Sequence, residues 1–376
     1  MSTHTIAAAV QESFASKTPL RIAAGGGWLD AGRPVRAERT LSLREESGVP
    51  SYVPADLTIT VRAGTSLSEI AAATRERNQW LPLDPYGSVD GTIGATIATA
   101  SAGPLSSSFG LARDLVLGLE FVNGRGEVVR AGGKVVKNVA GFDLSRLLTG
   151  SWGSLGVITE ITLRLYALPE VDRSFVVDLS GSEKQITSLL RALGTAPISP
   201  FAFHLVSASI SRALGLSEQP IGIIRFGGNS AAVKAQAAAL GQVANTREID
   251  GGTWLRLRQV ETGAHTTLRI SSLPQRVVAT AARILNDDVN GVYTSIDPRR
   301  GVIRVVAGST DDADSSSELA TGVVQSDSSE LVFEKLPAEL WPVVSPSVVA
   351  DPLSQGVKRA YDPNNILNRG ILGDLN

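Results

Sequence analysis

Three stretches of the chain expose backbone where a ligand could use it. In Gly150-Ser-Trp-Gly153-Ser-Leu-Gly156, glycines recur at intervals of three. Pro19-Leu-Arg-Ile-Ala23-Ala24 runs into consecutive Gly25, Gly26 and Gly27, followed by Trp28. Thr92-Ile93-Gly94-Ala95 opens a run of small residues that passes Ala98 and Ser101 and ends at Gly103-Pro104. Glycine lets a flat or charged ligand approach the main chain, and successive N–H groups after a strand form a nest that suits a pyrophosphate. Each stretch alone also has a plain reading: a tight turn at 150–156 and 25–27, and close helix packing in the run from Thr92. Neither nucleotide fingerprint is present. The G-x-G-x-x-G spacing is missing, no helix opens after Trp28, and no Gly-Lys-Ser/Thr follows.

Other chemistries are excluded by residue type. The chain has no cysteine, so disulfides, thiol nucleophiles, cysteine-ligated zinc and iron–sulfur clusters held by this chain alone are ruled out. Its histidines, His4, His204 and His265, are scattered, and no metal site is expected. A formal net charge of −2 gives no global attraction to nucleic acid or an anionic membrane. No apolar run reaches about 18 residues. The first 20 residues lack a basic start and an apolar core, so no signal peptide is expected and a cytoplasmic protein is the default. With 43% hydrophobic and 19% charged residues, the 376-residue chain belongs with globular proteins long enough for two domains.

The elements that must position these stretches are legible in part. Ile6, Val10 and Phe14 mark an amphipathic first helix. Leu57–Ala63 alternates as a half-buried strand. Ser66 and Glu69 form a capping box before a helix that carries Leu67, Ile70, Ala71 and Thr74 on one face. Leu81–Pro85 is extended by its prolines. Leu115–Val122 and Glu127–Arg130 form a hairpin around Asn123-Gly124. Asp143 is a candidate N-cap for a short helix before Gly150, and Val157–Leu165 reads as a strand after Gly156. Several glycine-rich segments between strands, all within the first 160 residues, imply a long ligand touched by backbone along its length.

These residues resemble the FAD-binding domain of the vanillyl-alcohol oxidase and p-cresol methylhydroxylase (PCMH) type. The likeness rests on Arg21–Gly27, Asp56–Gly64, Thr92–Ala95, Gly110–Asp114 and Gly150–Glu160. Within that family, Ser101–Pro104, Lys137–Arg146 and Tyr361-Asp-Pro-Asn-Asn-Ile-Leu-Asn368 are most similar to the FAD-binding subunits of bacterial glycolate oxidases. The resemblance implies an α+β chain. A two-lobed FAD-binding domain would occupy residues 1–170, a cap domain with an antiparallel sheet 171–340, and a tail returning to the FAD domain 341–376.

It also implies roles by position. The loop Ala23, Ala24, Gly25, Gly26, Gly27 and Trp28 would wrap the pyrophosphate. Leu83, Asp84, Thr92, Ile93, Gly94, Ala95, Ala98, Ser101, Gly103 and Pro104 would line the ribityl chain and the isoalloxazine. Gly153, Gly156, Val157 and Ile158 would border the adenosine end. A charged side chain introduced at Gly153 or Gly156 would then enter the ligand's space. Arg113, Lys134 and Lys137 are candidates to stabilise the charge of reduced flavin or of the phosphates, or are solvated surface cations. The absence of cysteine, and of histidine in the pyrophosphate loop, implies non-covalent FAD. Where many relatives read Gly-Ser-Glu-Gly, this chain has Trp152.

The second half reads as two imperfect βαββ-type units. The first has strands at Ser174–Leu179, Phe201–Ser207, Ile221–Phe226 and Trp254–Leu257, with helices at Glu183–Leu193 and Ala231–Leu240. The second has strands at Thr267–Ser271, Val292–Ile296, Val302–Ala307 and Leu331–Leu336, with a helix at Gln275–Leu285. The histidine-rich motif with Gly-Asp-Gly-Asn that supplies a base and a metal site in related 2-hydroxy-acid dehydrogenases is missing. No catalytic residue is assigned, and His204 reads as a core or edge strand histidine.

The resemblance therefore implies an FAD-binding subunit of a 2-hydroxy-acid (glycolate) dehydrogenase or oxidase. A paralogous FAD subunit and an iron–sulfur subunit that takes electrons from the reduced flavin would be its partners. Contact with the inner face of the membrane would come only through them. A self-contained FAD dehydrogenase or oxidase, and a structural subunit with weak or no FAD, are the alternatives.

Overall fold

The computed structural model describes residues 2–88, 90–133, 143–179, 181–286, 291–307, 330–344 and 350–373. Lys134, Lys137 and the stretch around them lie outside the described residues. The chain divides into two compact units. One comprises residues 1–102, 110–168 and 338–376, and the other 103–109 and 169–337.

The first unit opens with helix Thr3–Ser16. Ser2 caps it, and Ile6 and Val10 are fully buried in the core, with Phe14 packed against it. Its main sheet is antiparallel and five-stranded, in the order Ser51–Val53, Thr58–Arg62, Val157–Arg164, Val116–Val122, Val128–Gly132. Strand Thr58–Arg62 differs from the alternating expectation, since Thr58 and Thr60 are buried as well as Ile59 and Val61. The threonine face tolerates burial because Thr60 and Thr162 share a hydroxyl hydrogen bond of 3.0 Å across the strands. The Ser66–Glu69 capping box forms, with Glu69 N–H donating to Ser66 Oγ and Ser66 N–H to Glu69 Oε2. In the hairpin turn the left-handed residue is Gly126, at φ 81°. Gly124 has a different reason to lack a side chain, because a Cβ there would meet Asp362 Oδ1 at 2.5 Å.

A second, smaller layer sits beside the candidate site. Strand Leu20–Ala23 pairs in parallel with Arg39–Ser42, and Leu20 bridges to Leu367 near the C-terminus. Helix Ile93–Thr99 is held close to the end of strand Thr58–Arg62. Gly94 N–H donates to Ala63 O at 2.8 Å, and a Cβ on Gly94 would lie 2.7 Å from the Ala63 Cβ.

The second unit is built on an eight-stranded antiparallel sheet. Its order is Thr246–Ile249, Val171–Asp178, Ile221–Gly228, Ala202–Val206, Val292–Asp297, Val302–Ala307, Thr266–Ser271, Glu330–Lys335. Numbered within each half, the strands run 4-1-3-2 and then 2-3-1-4. The halves meet through their second strands in two register pairs, Leu205 with Ile296 and Val206 with Ser295. Helix Glu183–Thr195 packs against both Ser230–Val243 and Pro274–Asn286. One expected strand is wrong: Trp254–Leu257 belongs to helix Thr253–Gln259. Trp254 and Leu257, three positions apart, are both buried, and the indole N–H donates to Ser174 Oγ at 2.8 Å. The fourth strand of that half is instead Thr246–Ile249, a polar edge strand.

Candidate functional site

The site is built from backbone. After strand Leu20–Ala23 the chain turns through Gly25, Gly26 and Gly27, with Gly26 at φ 87°. The N–H groups of Gly25, Gly26, Gly27 and Trp28 find no acceptor among the described residues. Four successive free donors form a nest for an anion. A Cβ built on Gly27 would meet nothing within 4 Å, so the loop faces open space.

This loop is one wall of a cavity of about 200 Å³ in the first unit. A second wall is helix Ile93–Thr99 with its cap Thr92, which contributes Thr92, Gly94, Ala95, Thr96, Ala98 and Thr99. The Thr96 and Thr99 hydroxyls donate back to Thr92 O (3.0 Å) and Ala95 O (2.8 Å), which leaves the Thr92 hydroxyl proton uncommitted among the described residues. The third is the stretch 150–156 and the start of strand Val157–Arg164. The second and third walls are tied together, since Gly150 N–H donates to Ile97 O (3.0 Å) and Trp152 N–H to Ala98 O (2.8 Å). Asp143 Oδ1 accepts from Arg146 N–H at 3.1 Å and so caps the short helix Leu144–Leu148 that leads into the third wall.

Of the residues expected from sequence, Ala23, Ala24, Gly25, Gly26, Gly27, Trp28, Thr92, Gly94, Ala95, Ala98, Gly153, Gly156 and Ile158 line this cavity. Others are placed elsewhere. Leu83 and Asp84 are buried, while the next two residues, Pro85 and Tyr86, reach the cavity. Ile93 and Val157 face the apolar core. Val157 and Ile158 are neighbours on a strand and point to opposite sides, so only one can face the site. Ser101 is buried away from the lining, Arg113 is exposed on a short helix outside it, and Gly103 and Pro104 belong to the second unit.

The expectation that a side chain on Gly156 would enter the cavity is corrected by the geometry. A Cβ there would lie 2.6 Å from Phe121 Cδ2, inside the core, and one on Gly153 would lie 2.8 Å from Asn368 Nδ2. Gly156 is required by close packing against Phe121, and Gly153 by its left-handed backbone at φ 68°.

Several lining residues escaped the sequence reading. Trp152, at φ 54°, sets its ring edge-on to Trp28, with centroids 6.1 Å apart and planes at 82°. Asn368 and Ile371 arrive from the C-terminal segment. Ser88, Asp90 and Gly91 precede Thr92, and Asp90 is the only charged side chain among the described residues that line the cavity. Phosphates here would therefore be met by neutral amide and hydroxyl donors. Neither histidine nor cysteine is in the lining.

The cavity volume is below the ~300–1,000 Å³ of ordinary small-molecule sites, so it has room for only part of a dinucleotide. The donor set and the small-residue walls fit an FAD diphosphate and its flanking sugar. Among the described residues no group of three or more His, Asp or Glu is arranged to hold a metal, and no helix is long and apolar enough to cross a membrane.

His204 lies in the second unit, buried in strand Ala202–Val206. Neither ring nitrogen has a hydrogen-bond partner among the described residues, and the ring sits edge-on to Trp254 at 6.2 Å. Burial pushes its pKa down, with Asp297 opposing and Arg300 adding to the shift.

Residues 1–132 match a protein family described as an FAD binding domain. Glycolate oxidase subunit GlcE of Escherichia coli K12 is 36% identical over 252 residues, which cover 66% of each chain. Glycolate oxidase subunit GlcD of Bacillus subtilis is 38% identical over 121 residues, 32% of this chain and 26% of that one. The chain thus spans just under two thirds of the first relative's length and about a quarter of the second's. The crystal structure of p-cresol methylhydroxylase with substrate bound superposes with a TM-score of 0.73 at 16% identity, over 99% of this chain and 87% of that one, which shows a shared fold. The family match, the relatives and the fold agree with the cavity and its donors: residues 1–132 belong to the FAD-binding-domain family, and the chain has the fold of p-cresol methylhydroxylase.

Proposed function

We propose that this chain is the FAD-binding subunit of a 2-hydroxy-acid dehydrogenase or oxidase of the glycolate oxidase kind, and that it holds FAD non-covalently. The observation that carries the reading is the row of free amides at Gly25–Trp28, facing a cavity walled by small residues and lined by neither cysteine nor histidine. Bound there, FAD supplies two-electron redox chemistry. The chain's own residues bind and orient it. Amides of the glycine loop would meet the diphosphate, the Thr92 hydroxyl would offer a further donor, and Trp28 with Trp152 would shield one side from water.

Substrate chemistry in a partner is the second part of the proposal. It is supported by the lack of cysteine, which leaves this chain no iron–sulfur cluster of its own, and by the likeness to two glycolate oxidase subunits. A paralogous FAD subunit and an iron–sulfur subunit would complete the assembly, and any membrane contact would run through them. Residues 171–340 would act as the cap on the substrate side, and the tail 341–376 would return to the FAD domain.

Coexpression with the adjacent genes, followed by affinity purification, tests this. The expected result is copurification of a second flavoprotein and an iron–sulfur protein, with glycolate-dependent dye reduction by the complex and none by this chain alone. Glycolate bleaching of flavin in the isolated chain would support a self-contained enzyme instead.

A further inference from the structure

The C-terminal segment contributes a wall to the cavity, and one side chain joins that wall to two others. Asn368 Oδ1 accepts the N–H of Ile22 at 2.7 Å, at the strand that feeds the glycine loop. Its Nδ2 donates to Trp152 O at 2.7 Å, in the stretch 150–156. Its own N–H donates to Leu20 O at 2.9 Å. Asn368 itself, at φ 43°, is in the left-handed region that asparagine enters more readily than most residues. Both polar ends of its amide are therefore committed to backbone on different sides of the cavity.

The rest of the segment is delivered in register. Leu20 N–H donates to Ile366 O at 2.7 Å, and Leu20 and Leu367 form a parallel bridge, so residues 366–368 act as a further strand beside Leu20–Ala23. Asp362, 1% exposed, accepts the N–H groups of Ile366 (3.0 Å) and Leu367 (2.8 Å) and the ammonium of Lys358 (2.9 Å). Lys358 also donates to Ser154 O at 2.8 Å, a second tie to the stretch 150–156. Beyond Asn368, Arg33 N–H donates to Ile371 O at 3.2 Å, and Ile371 lines the cavity.

We propose that Asn368 is a positioning residue for the cofactor, and that residues 362–371 and the cofactor order one another: the cavity is complete only when this segment is docked, and a bound FAD diphosphate holds it docked. The proposal rests on the FAD reading above. Linkage makes the coupling reciprocal. If docking strengthens FAD binding, FAD must strengthen docking by the same factor. The side chain does not need to touch FAD to act in this way. It fixes the end of strand Leu20–Ala23 and the Trp152 carbonyl, whose neighbours carry the free amides and the aromatic pair.

Hydrogen exchange of the full chain with and without FAD tests the coupling, together with FAD titrations followed by tryptophan fluorescence. FAD is expected to slow exchange at residues 366–371 by about tenfold, within the usual range of coupling energies. Asn368→Gly keeps the backbone conformation accessible and removes both side-chain bonds. It is expected to weaken FAD binding about tenfold, while exchange in strand Val157–Arg164 stays as in the wild type. Asn368→Asp keeps the acceptor for Ile22 and sets a carboxylate against the Trp152 carbonyl. Faster exchange is expected around 150–154 and not around 22–24. FAD binding with no change at 366–371, or wild-type affinity in Asn368→Gly, overturns the proposal. Should Asn368→Gly fail to fold, the FAD dependence of exchange in the wild type decides alone. Failure of the wild type to bind FAD at all removes the cofactor reading, and the coupling with it.

Discussion

At the scale of single residues, His204 is the least satisfied group described in the second unit, because burial has removed water from both nitrogens and no protein partner replaces it. Its folded pKa is depressed by burial. The unfolded chain therefore takes up the proton first, at a pKa near 6.5. Below that pH the unfolded state binds more protons, so stability is lost as pH falls from about 6.5 toward the folded pKa. His204→Leu is expected to remove this slope. It should match or exceed wild-type stability at pH 7.5, since it deletes two unpaired polar atoms. Thermal melts of both proteins between pH 7.5 and 5.5 check this, and parallel curves would contradict it. The sequence showed that this histidine lay in a strand. It could not show that both nitrogens go unpaired, because that depends on side chains from other strands.

Glycines divide in the same way between what sequence can and cannot reveal. The run Gly25–Gly27 was legible only beside the other small-residue stretches, since alone it reads as a hairpin turn at least as often as a phosphate site. Gly156 was legible as a glycine that must stay one, but for a reason found only in three dimensions, the Phe121 ring against its Cα. Asn368 was readable as part of a returning tail, while its partner Ile22 lies 346 positions away.

At the scale of elements, the half of the second sheet that ends in Glu330–Lys335 is pinned by charge. Arg304 on strand Val302–Ala307 donates to Glu261 at 2.6 and 2.8 Å and to Glu334 at 2.7 Å, and Arg269 on strand Thr266–Ser271 reaches Glu334 at 3.3 Å. Burial pushes the Glu261 pKa up, against the pull of Arg304. Such a cluster is costly to break because the carboxylates left behind are buried. Arg304→Met is expected to cost about 3–5 kcal/mol in urea denaturation. Adding Glu261→Gln should recover part of that loss, and a loss below about 1 kcal/mol would contradict the reading.

The same half shows why element assignment succeeded where it did. Helix Pro274–Asn286 carries strong apolar periodicity, and strand Val302–Ala307 is a short, nearly continuous apolar run. Strand Thr246–Ile249 was missed because, as an edge strand, it is exposed and polar along most of its length. Helix Thr253–Gln259 was misread because Trp-Leu-Arg-Leu is too short for periodicity to separate strand from helix.

At the scale of the whole molecule, the central claim is that three walls and a C-terminal strap form one FAD site whose anion-binding element is the free amides at Gly25–Trp28. Two glycines separate binding from folding. Gly27 faces open space, so Gly27→Glu places a carboxylate before the diphosphate without disturbing packing. Gly156→Ala drives a methyl into Phe121 and should lower stability by about 1–3 kcal/mol through overpacking. The most direct test is an equilibrium titration of FAD into the apo forms of the wild type and Gly27→Glu, with thermal melts of each. The expected result is stoichiometric binding by the wild type and affinity at least about tenfold weaker in Gly27→Glu, from like charge at close range, with apo melting temperatures that coincide. Equal affinity in the two proteins, or no FAD binding by the wild type, would contradict it.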